Sequence, residues 1–569
     1  MKEVDIEKKL KLTDIIPDIV NKYITNFCVG QNGNNFDICK VETIFVALKL
    51  LLNASCEKYT FDDAFTFDFF GGGLADSEFQ SILSTLNEKI SSRKKNGIYN
   101  TPSDIIDFIF SNCIIPLSAH EKLFSNCEET KEFLTHIEIN DFIYNKKIFD
   151  PTAGSGEFLI KALQIKIDLL KAFSDVVATK DYLDILSTIY GNDIDISAIE
   201  ICKIRLFFDI AKRVPFDRYY EIVNILNNNF SNQDFINITI KDFKTKFDII
   251  IGNPPYIEDK VSVVVPDEKY GNIYANILKN SIDLLTDDGI IGFIVPLSYV
   301  STSRMKKIRQ YIEKNMKCQY VLNYSDRPSC LFAGVHQKLS ILIGEKGNTA
   351  EHKIYSSRYH YWYKNERLEL FNDIETIRIV DYTDEYYPKI STELEKNIYN
   401  KIHTKNITDS LMFNETPESG DLYLNMRATF WIKAFSFKID SNEFKKLSFG
   451  DKNKWIVLAL LNSSLFFFHW VVVSDCWHIT RKELNTFFVP KILWETDELS
   501  LFAMELENEL ENTKVYVGTK QTMYEYKHKL CKNTIDKIDD ALASIYQLTF
   551  EENEYIKSFA KKYRKNWGL

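Results

Sequence analysis

The run Phe247-Asp248-Ile249-Ile250-Ile251-Gly252 is apolar almost throughout and stops abruptly at Asn253-Pro254-Pro255-Tyr256. An apolar run of this length bounded by turn residues fits a strand buried on both faces, which places it inside a sheet covered by helices on each side. Proline lacks an N–H, so the strand ends there, with a polar side chain and an aromatic ring leaving its C-terminal edge together. Open α/β sheets bind their ligands at that edge. The Pro-Pro pair also holds the Pro254 carbonyl rigidly. That carbonyl and the Asn253 side-chain oxygen can accept the N–H bonds of an amide-like amine, such as the exocyclic amine of adenine. The lone pair of such an amine is delocalised and nucleophilically poor. Accepting its N–H bonds localises the pair and aims it at an electrophilic methyl, while Tyr256 offers a stacking surface for a planar base. The plainer reading is a strand followed by a Pro-rich turn.

Upstream, Ile148-Phe149-Asp150-Pro151-Thr152-Ala153-Gly154-Ser155-Gly156-Glu157-Phe158-Leu159 reads as a short strand, a small-residue turn and the start of a helix. Glycines let backbone approach a ligand closely, and a helix starting there offers free N–H groups. The third Gly of the full dinucleotide pattern is absent. Ile189-Tyr190-Gly191-Asn192-Asp193-Ile194-Asp195 looks like a second strand ending in acids. An acid there is the usual partner of ribose hydroxyls, although Asp195 in particular also suits a helix N-cap. Ile238 to Phe243 is expected to be a third strand end, offering Asp242 and Phe243 to a cofactor adenine.

In this series the chain resembles the S-adenosylmethionine-dependent adenine-N6 DNA methyltransferases of the TaqI type, whose motif order is called gamma, over about residues 96–345. The resemblance implies S-adenosyl-L-methionine as cofactor and duplex DNA as partner. Asn253, Pro254, Pro255 and Tyr256 would then be catalytic. Tyr99, Thr101 and Pro102 would touch the methionine moiety, with Asp150 near its amino group and Thr152, Ala153, Gly154, Ser155, Gly156 and Phe158 forming the cofactor loop. Asp193 would take the ribose hydroxyls, Ile194 would pack on the cofactor adenine, and Asp242 and Phe243 would bind its edge and face. Phe332, in Leu331-Phe332-Ala333-Gly334-Val335, would sandwich the target base opposite Tyr256. The other reading of Phe332 is a core residue at a strand start.

The formal charge of −10 does not by itself suggest nucleic acid. Charge is segregated, however: Arg304, Lys306, Lys307, Arg309, Lys314, Lys317, Arg327 and Lys338 face only Glu313 and Asp326 in the same stretch. Such a basic strip suits phosphate contacts. Ten cysteines without a Cys-x-x-Cys pair argue for reduced thiols and a cytoplasmic setting, with no zinc or other metal site. No signal peptide opens the sequence. The apolar stretch Trp455 to Val473, interrupted by Asn462, Ser463, Ser464 and His469, reads as a buried helix or strand pair rather than a membrane span.

The expected architecture is α/β: a Rossmann-like doubly wound methyltransferase sheet at 91–345, preceded by an N-terminal helical region at 1–90. A C-terminal α+β target-recognition domain at 346–490 and a helical region at 491–569 follow. Within the former, Asp475 to Lys482 forms a polar, basic turn on an apolar support, and His478, Thr480, Arg481 and Lys482 are candidates for DNA contact. An ordinary solvated connection is the alternative. A separate restriction endonuclease is a further expected partner. Two other activities stay open: methylation of protein glutamine or RNA, and a bifunctional restriction-modification polypeptide.

Overall fold

The computed structural model describes residues 101–566, apart from short gaps at 120–121, 175, 216–217, 239–242, 244, 261, 263, 333, 348–350, 381, 405–407, 417–418 and 520–521. The expected helical region 1–90, Tyr99 and Asp242 lie outside the described residues. Among the latter, nine strands form one sheet: β1 (Ile148–Asp150), β2 (Ile189–Asn192), β3 (Phe230–Ser231), β4 (Phe247–Gly252), β5 (Leu285–Pro296), β6 (Met316–Tyr324), β7 (Leu339–Lys346), β8 (Lys353–His360) and β9 (Ile377–Ile379), in the order β3-β2-β1-β4-β5-β7-β6-β8-β9.

Strand β4 explains why the sheet needs cover on both sides. Phe247 and Ile250 enter one hydrophobic core, whereas Ile249 and Ile251 enter the other. Ile249, Ile250 and Ile251 alternate across the strand, and the register shift between Phe247 and Ile249 turns Phe247 to the side of Ile250, so one apolar run feeds two cores at once. Each fully buried Ile contributes about 1.5–3 kcal/mol. The helix Glu157–Phe173 fills the second core with Leu159, Leu163 and Ile167, and the helix Ile273–Leu284 fills the first with Ile277, Leu278 and Ile282.

Strands β1 to β5 run parallel, with β2 and β3 on one side of β1 and β4 and β5 on the other. The chain therefore reverses its winding direction between β1 and β4. Connections diverge there and leave a crevice at the strands' C-terminal ends. Strand β7 inserts antiparallel between β5 and β6.

One expectation falls outside the described residues and one needs correcting. Residues 239–242 of the expected third strand end are not among those described, and the third described strand is Phe230–Ser231. The main sheet does not end at 345, because β8 pairs with β6 and β9 with β8, carrying it to Ile379. Beyond it, smaller antiparallel pairings such as Asp421–Asn425 with Phe444–Ser448 surround a helical core.

The apolar stretch forms two helices, Asn453–Asn462 and Ser464–Val473, bent by 64°. Ser463 breaks them by accepting the Phe466 N–H at 3.0 Å. Asp539, from the helix Lys532–Ile545, accepts the N–H groups of Ser464 and Leu465 at 2.8 and 3.3 Å, satisfying donors the second helix leaves open. Both helices are buried, and no single described helix is long and apolar enough to cross a membrane.

Candidate active site

The Asn253-Pro254-Pro255-Tyr256 turn leaves β4 at the crevice beside β1. Asn253 Nδ2 lies 3.3 Å from Thr101 Oγ1, and Asn253 Oδ1 accepts from the Tyr256 hydroxyl, which also lies 3.3 Å from the Ile294 carbonyl. These contacts set the amide's orientation. The Tyr256 ring stands edge-on to Tyr274, at 6.4 Å between centroids. Desolvation, followed by the nearby Tyr274, pushes the Tyr256 hydroxyl well above its ordinary pKa, so it stays neutral. Pro254 is buried; Asn253, Pro255 and Tyr256 are half-buried.

On the β1 side, Asp150 is 1% exposed and its Oδ1 accepts the Thr152 N–H at 2.9 Å. Burial raises its pKa well above the carboxylate range, and the neighbouring Asp193 adds to this. Gly252 makes room for it, since a Cβ there would sit 2.8 Å from Asp150 Oδ1. The loop then turns through Gly154 and Gly156, with φ of +55° and +89°. A Cβ on Gly154 would meet nothing within 4 Å, so that face of the loop is open. Asp193 braces the loop from β2: its Oδ2 accepts the Gly154 N–H at 2.8 Å and its Oδ1 that of Asp195 at 2.8 Å. Ala153 and Ser155 are buried within the loop, Thr152 Oγ1 is buried without a hydrogen-bond partner, and Phe158 points into the core.

Ile194 is 60% exposed beside the loop. Phe243 joins Phe149, Phe235 and Phe247 in an aromatic group, with centroids 5.5 to 6.0 Å away. Pro102 precedes the helix Ser103–Ser111, close in sequence to Thr101. The crevice thus joins Thr101, Asn253 and Tyr256 by direct contacts, sets Asp150 beside Gly252 one residue before Asn253, and joins Gly154 to Asp193. Phe332 is 3% exposed and belongs to the core, so stacking on a base requires its ring to be uncovered.

Sequence reading missed two supports. Asn192 holds the Pro151 and Gln233 carbonyls at 3.1 and 3.0 Å. Arg205, buried on the helix Ile196–Ala211, donates to the Ser155 carbonyl at 2.6 Å and to Glu157 at 2.7 Å. The signal for Arg205 was a lone charge within Ile204-Arg205-Leu206.

The basic strip is compensated by acids from elsewhere in the sequence. Arg304 pairs with Glu258 at 2.6 Å, Lys306 with Asp384 at 2.7 Å, Lys307 with Glu268 at 2.6 Å and Lys317 with Glu345 at 2.9 Å. Arg309 is buried on the carbonyls of Tyr299 and Thr302. Among the described residues no three His, Cys, Asp or Glu side chains form a metal-holding group.

The 475–482 turn divides the same way. Thr480 caps the helix Arg481–Asn485 in a capping box with Glu483, and Lys482 Nζ reaches the carbonyls of Ser301 and Val473 at 2.6 and 2.9 Å. Both side chains are spent on structure. His478 is exposed with Nδ1 2.9 Å from Asp475, and Arg481 is 69% exposed with Glu415 at 3.1 Å. We expect Thr480→Ala to cost about 0.5–2 kcal/mol of stability without changing DNA preference. Arg481→Ala should leave the melting temperature alone and lower DNA affinity by about 1–3 kcal/mol if it reads a base. Thermal melts and binding titrations of both variants check this. A Thr480→Ala protein as stable as the parent would remove the cap from the account.

Residues 187–329 match the family model for the Eco57I restriction-modification methylase. The chain is 24% identical over 340 residues to the Type II restriction enzyme and methyltransferase RM.Eco57I of Escherichia coli, covering 48% of this chain and 32% of that one. It is 26% identical over 192 residues to the Type II methyltransferase M.BstVI of Geobacillus stearothermophilus, covering 32% and 33%. These matches span about a third of either relative's length. Its fold is similar to that of the Type IIL restriction-modification enzyme MmeI in complex with DNA, with a TM-score of 0.51, 13% identity and coverage of 85% of this chain and 81% of the other.

Proposed function

We propose that this chain transfers a methyl group from S-adenosyl-L-methionine to the N6 amine of an adenine flipped out of duplex DNA. It would serve as the modification activity of a restriction-modification system or as an orphan enzyme. The observation that carries this is the Asn253-Pro254-Pro255-Tyr256 turn at the crevice between β1 and β4, opposite the loop braced by Asp193.

The cofactor fits the residues present. Asp150 is a buried carboxyl with no cation acting on it among the described residues, which an ammonium group would complement. Thr152 Oγ1 is a buried polar atom still wanting a partner, and the Gly154 face is open to a ligand. Asp193, Ile194 and Phe243 would hold the ribose and adenine. The cofactor brings an electrophilic methyl on a sulfonium sulfur. Asn253 Oδ1 and the Pro254 carbonyl accept the N–H bonds of the target amine, localise its lone pair and fix its direction. Tyr256, neutral at ordinary pH, contributes its ring rather than a charge. Flipping costs about a few kcal/mol, offset by stacking in the pocket. Positioning supplies most of the rate.

Incubating the full chain with duplex DNA and methyl-labelled cofactor, then digesting the DNA to nucleosides, tests the reading. We expect label in N6-methyladenine. Label in protein glutamine or RNA, or none at all, would overturn it. The names of two relatives couple methylation with restriction, RM.Eco57I and a putative Methanocaldococcus jannaschii enzyme 30% identical over 171 residues. Metal-dependent cleavage of unmethylated DNA in the same assay would make the chain bifunctional.

A further inference from the structure

A second concave site shares no lining residue with the β1–β4 crevice. The β6–β7 loop, the 425–433 segment, Trp477 and the 525–529 segment meet around a cavity of about 470 Å3. Six cations line it, Arg327, Arg427, Lys433, Lys527, Lys529 and Arg564, against only Glu443 and Glu525. The whole chain carries −10, and the sequence-adjacent basic strip is already compensated, so this concentration of positive charge stands out.

Pairing does not exhaust it. Glu443 lies 3.0 Å from Arg427 and Glu525 lies 2.6 Å from Lys527, which uses both acids. Lys433, half-buried beside them, forms no ion pair among the described residues and feels the two carboxylates only at longer range. A half-buried ammonium without a close counter-charge is partly desolvated, a cost that an arriving anion offsets.

Aromatic rings face the same space. Trp477 has Arg327 and Lys338 at 5.1 and 4.3 Å from its centroid, and Trp431 has Arg564 at 4.0 Å. Trp477 is held firmly: Asp475 Oδ1 accepts the N–H groups of Trp477 and His478 at 2.9 and 2.8 Å, and the Trp477 carbonyl accepts from Ala428 at 3.1 Å. Cys476 before it adopts φ +55°, a left-handed conformation that a non-glycine residue keeps only when its surroundings enforce it. Cations interleaved with fixed rings match a polymer that alternates phosphates with planar bases.

We infer that this cleft grips a segment of the DNA substrate, with Lys433 and Arg427 on phosphates and Trp477 as a stacking surface; it rests on the reading that the substrate is DNA. A free nucleotide shares this chemistry, but the placement favours DNA. Arg327 in the cleft lies on the same loop as Phe332, the expected partner of the target base once its ring is uncovered from the core, and the base of that loop is pinned by the Asp326–Lys338 pair at 3.2 Å. A strand held at one end of that loop is positioned for the pocket at the other.

The test is anisotropy of labelled duplex DNA with full-chain Lys433→Gln/Arg427→Gln across a salt series. The double variant should bind roughly tenfold more weakly, and its log–log salt slope should be shallower by about one for each phosphate that the protein no longer neutralises. Arg427→Lys should retain the parental slope, as should Lys452→Gln, a surface control outside the cleft. Cofactor affinity by calorimetry and the melting temperature should not move, which excludes misfolding. Parental affinity and slope in the double variant would overturn the inference. So would ATP that binds the parent, fails to bind the variant and leaves DNA affinity equal in both. A parent that binds no DNA at all would instead sink the proposed function itself.

Discussion

Asn253→Ala should lower methyl transfer to DNA by on the order of 10²–10³-fold while leaving cofactor affinity close to the parent's, because removing one preorganised polar group at a reacting centre typically has that effect. The two quantities separate because Asn253 touches Thr101 and Tyr256 in the crevice but is not part of the Gly154–Gly156 loop. With Asn253 gone, the Pro254 carbonyl alone accepts from the target amine, and the lone pair stays largely delocalised. Asn253→Asp keeps oxygen acceptors and should fall less far. Tyr256→Phe keeps the ring and loses only the hydroxyl contacts to Asn253 and the Ile294 carbonyl, so its loss should be smaller still. Single-turnover methyl transfer with saturating cofactor, paired with calorimetric cofactor titration, reads both quantities. Parental turnover in the alanine variant would remove Asn253 from the mechanism.

What sequence could reveal of this arrangement depended on how local its causes are. Strand β4 was legible because an apolar run that ends in Asn-Pro-Pro-Tyr carries its own burial pattern and its own stop. Tyr274 to Leu285 and Arg304 to Asn315 read as helices in the sequence, within a residue or two of the observed Ile273–Leu284 and Lys306–Asn315. Strand β3 was not, because Phe230–Ser231 is too short to show any alternation, and its place is set by pairing with Gly191 and Asn192. The sheet's continuation into β8 was equally hidden: Cys318 pairs with Lys353 and Tyr320 with Tyr355, pairings that no single window contains. The same distance effect misled the reading of charge. Lys482 looked available for DNA, yet its ammonium is seated on the Ser301 carbonyl, far away in sequence. Phe332 shows the limit for apolar residues, since a ring on a loop and a ring in a core have the same sequence signature.

The two glycines of the loop after β1 offer the sharper test, because the same substitution should fail for different reasons at each. Both hold positive φ, +55° at Gly154 and +89° at Gly156, so alanine at either carries a backbone penalty of roughly 1–2 kcal/mol. At Gly156 a second cost is added, since the new Cβ would lie 2.5 Å from Cys202 Sγ on the helix Ile196–Ala211. Gly156→Ala should therefore melt well below the parent. Adding Cys202→Ala removes the sulfur and leaves the former Cys202 Cβ at 3.3 Å, a distance small shifts can absorb. The double variant should regain the steric part of the loss and keep only the backbone part. At Gly154 the new Cβ meets no protein atom within 4 Å, so Gly154→Ala should melt close to the parent apart from the backbone cost. That open face is where we place the cofactor, and a methyl group there should weaken cofactor binding by roughly tenfold or more, since it keeps the ligand from closing on the backbone. Thermal melts separate the two sites by stability, and calorimetric titration separates them by affinity. A Gly154→Ala protein that binds cofactor as tightly as the parent would mean that this loop does not hold it, however well Asp193 braces it. Failure of Cys202→Ala to restore Gly156→Ala would mean that the left-handed backbone, not the packing against the helix, is what fixes glycine at that position.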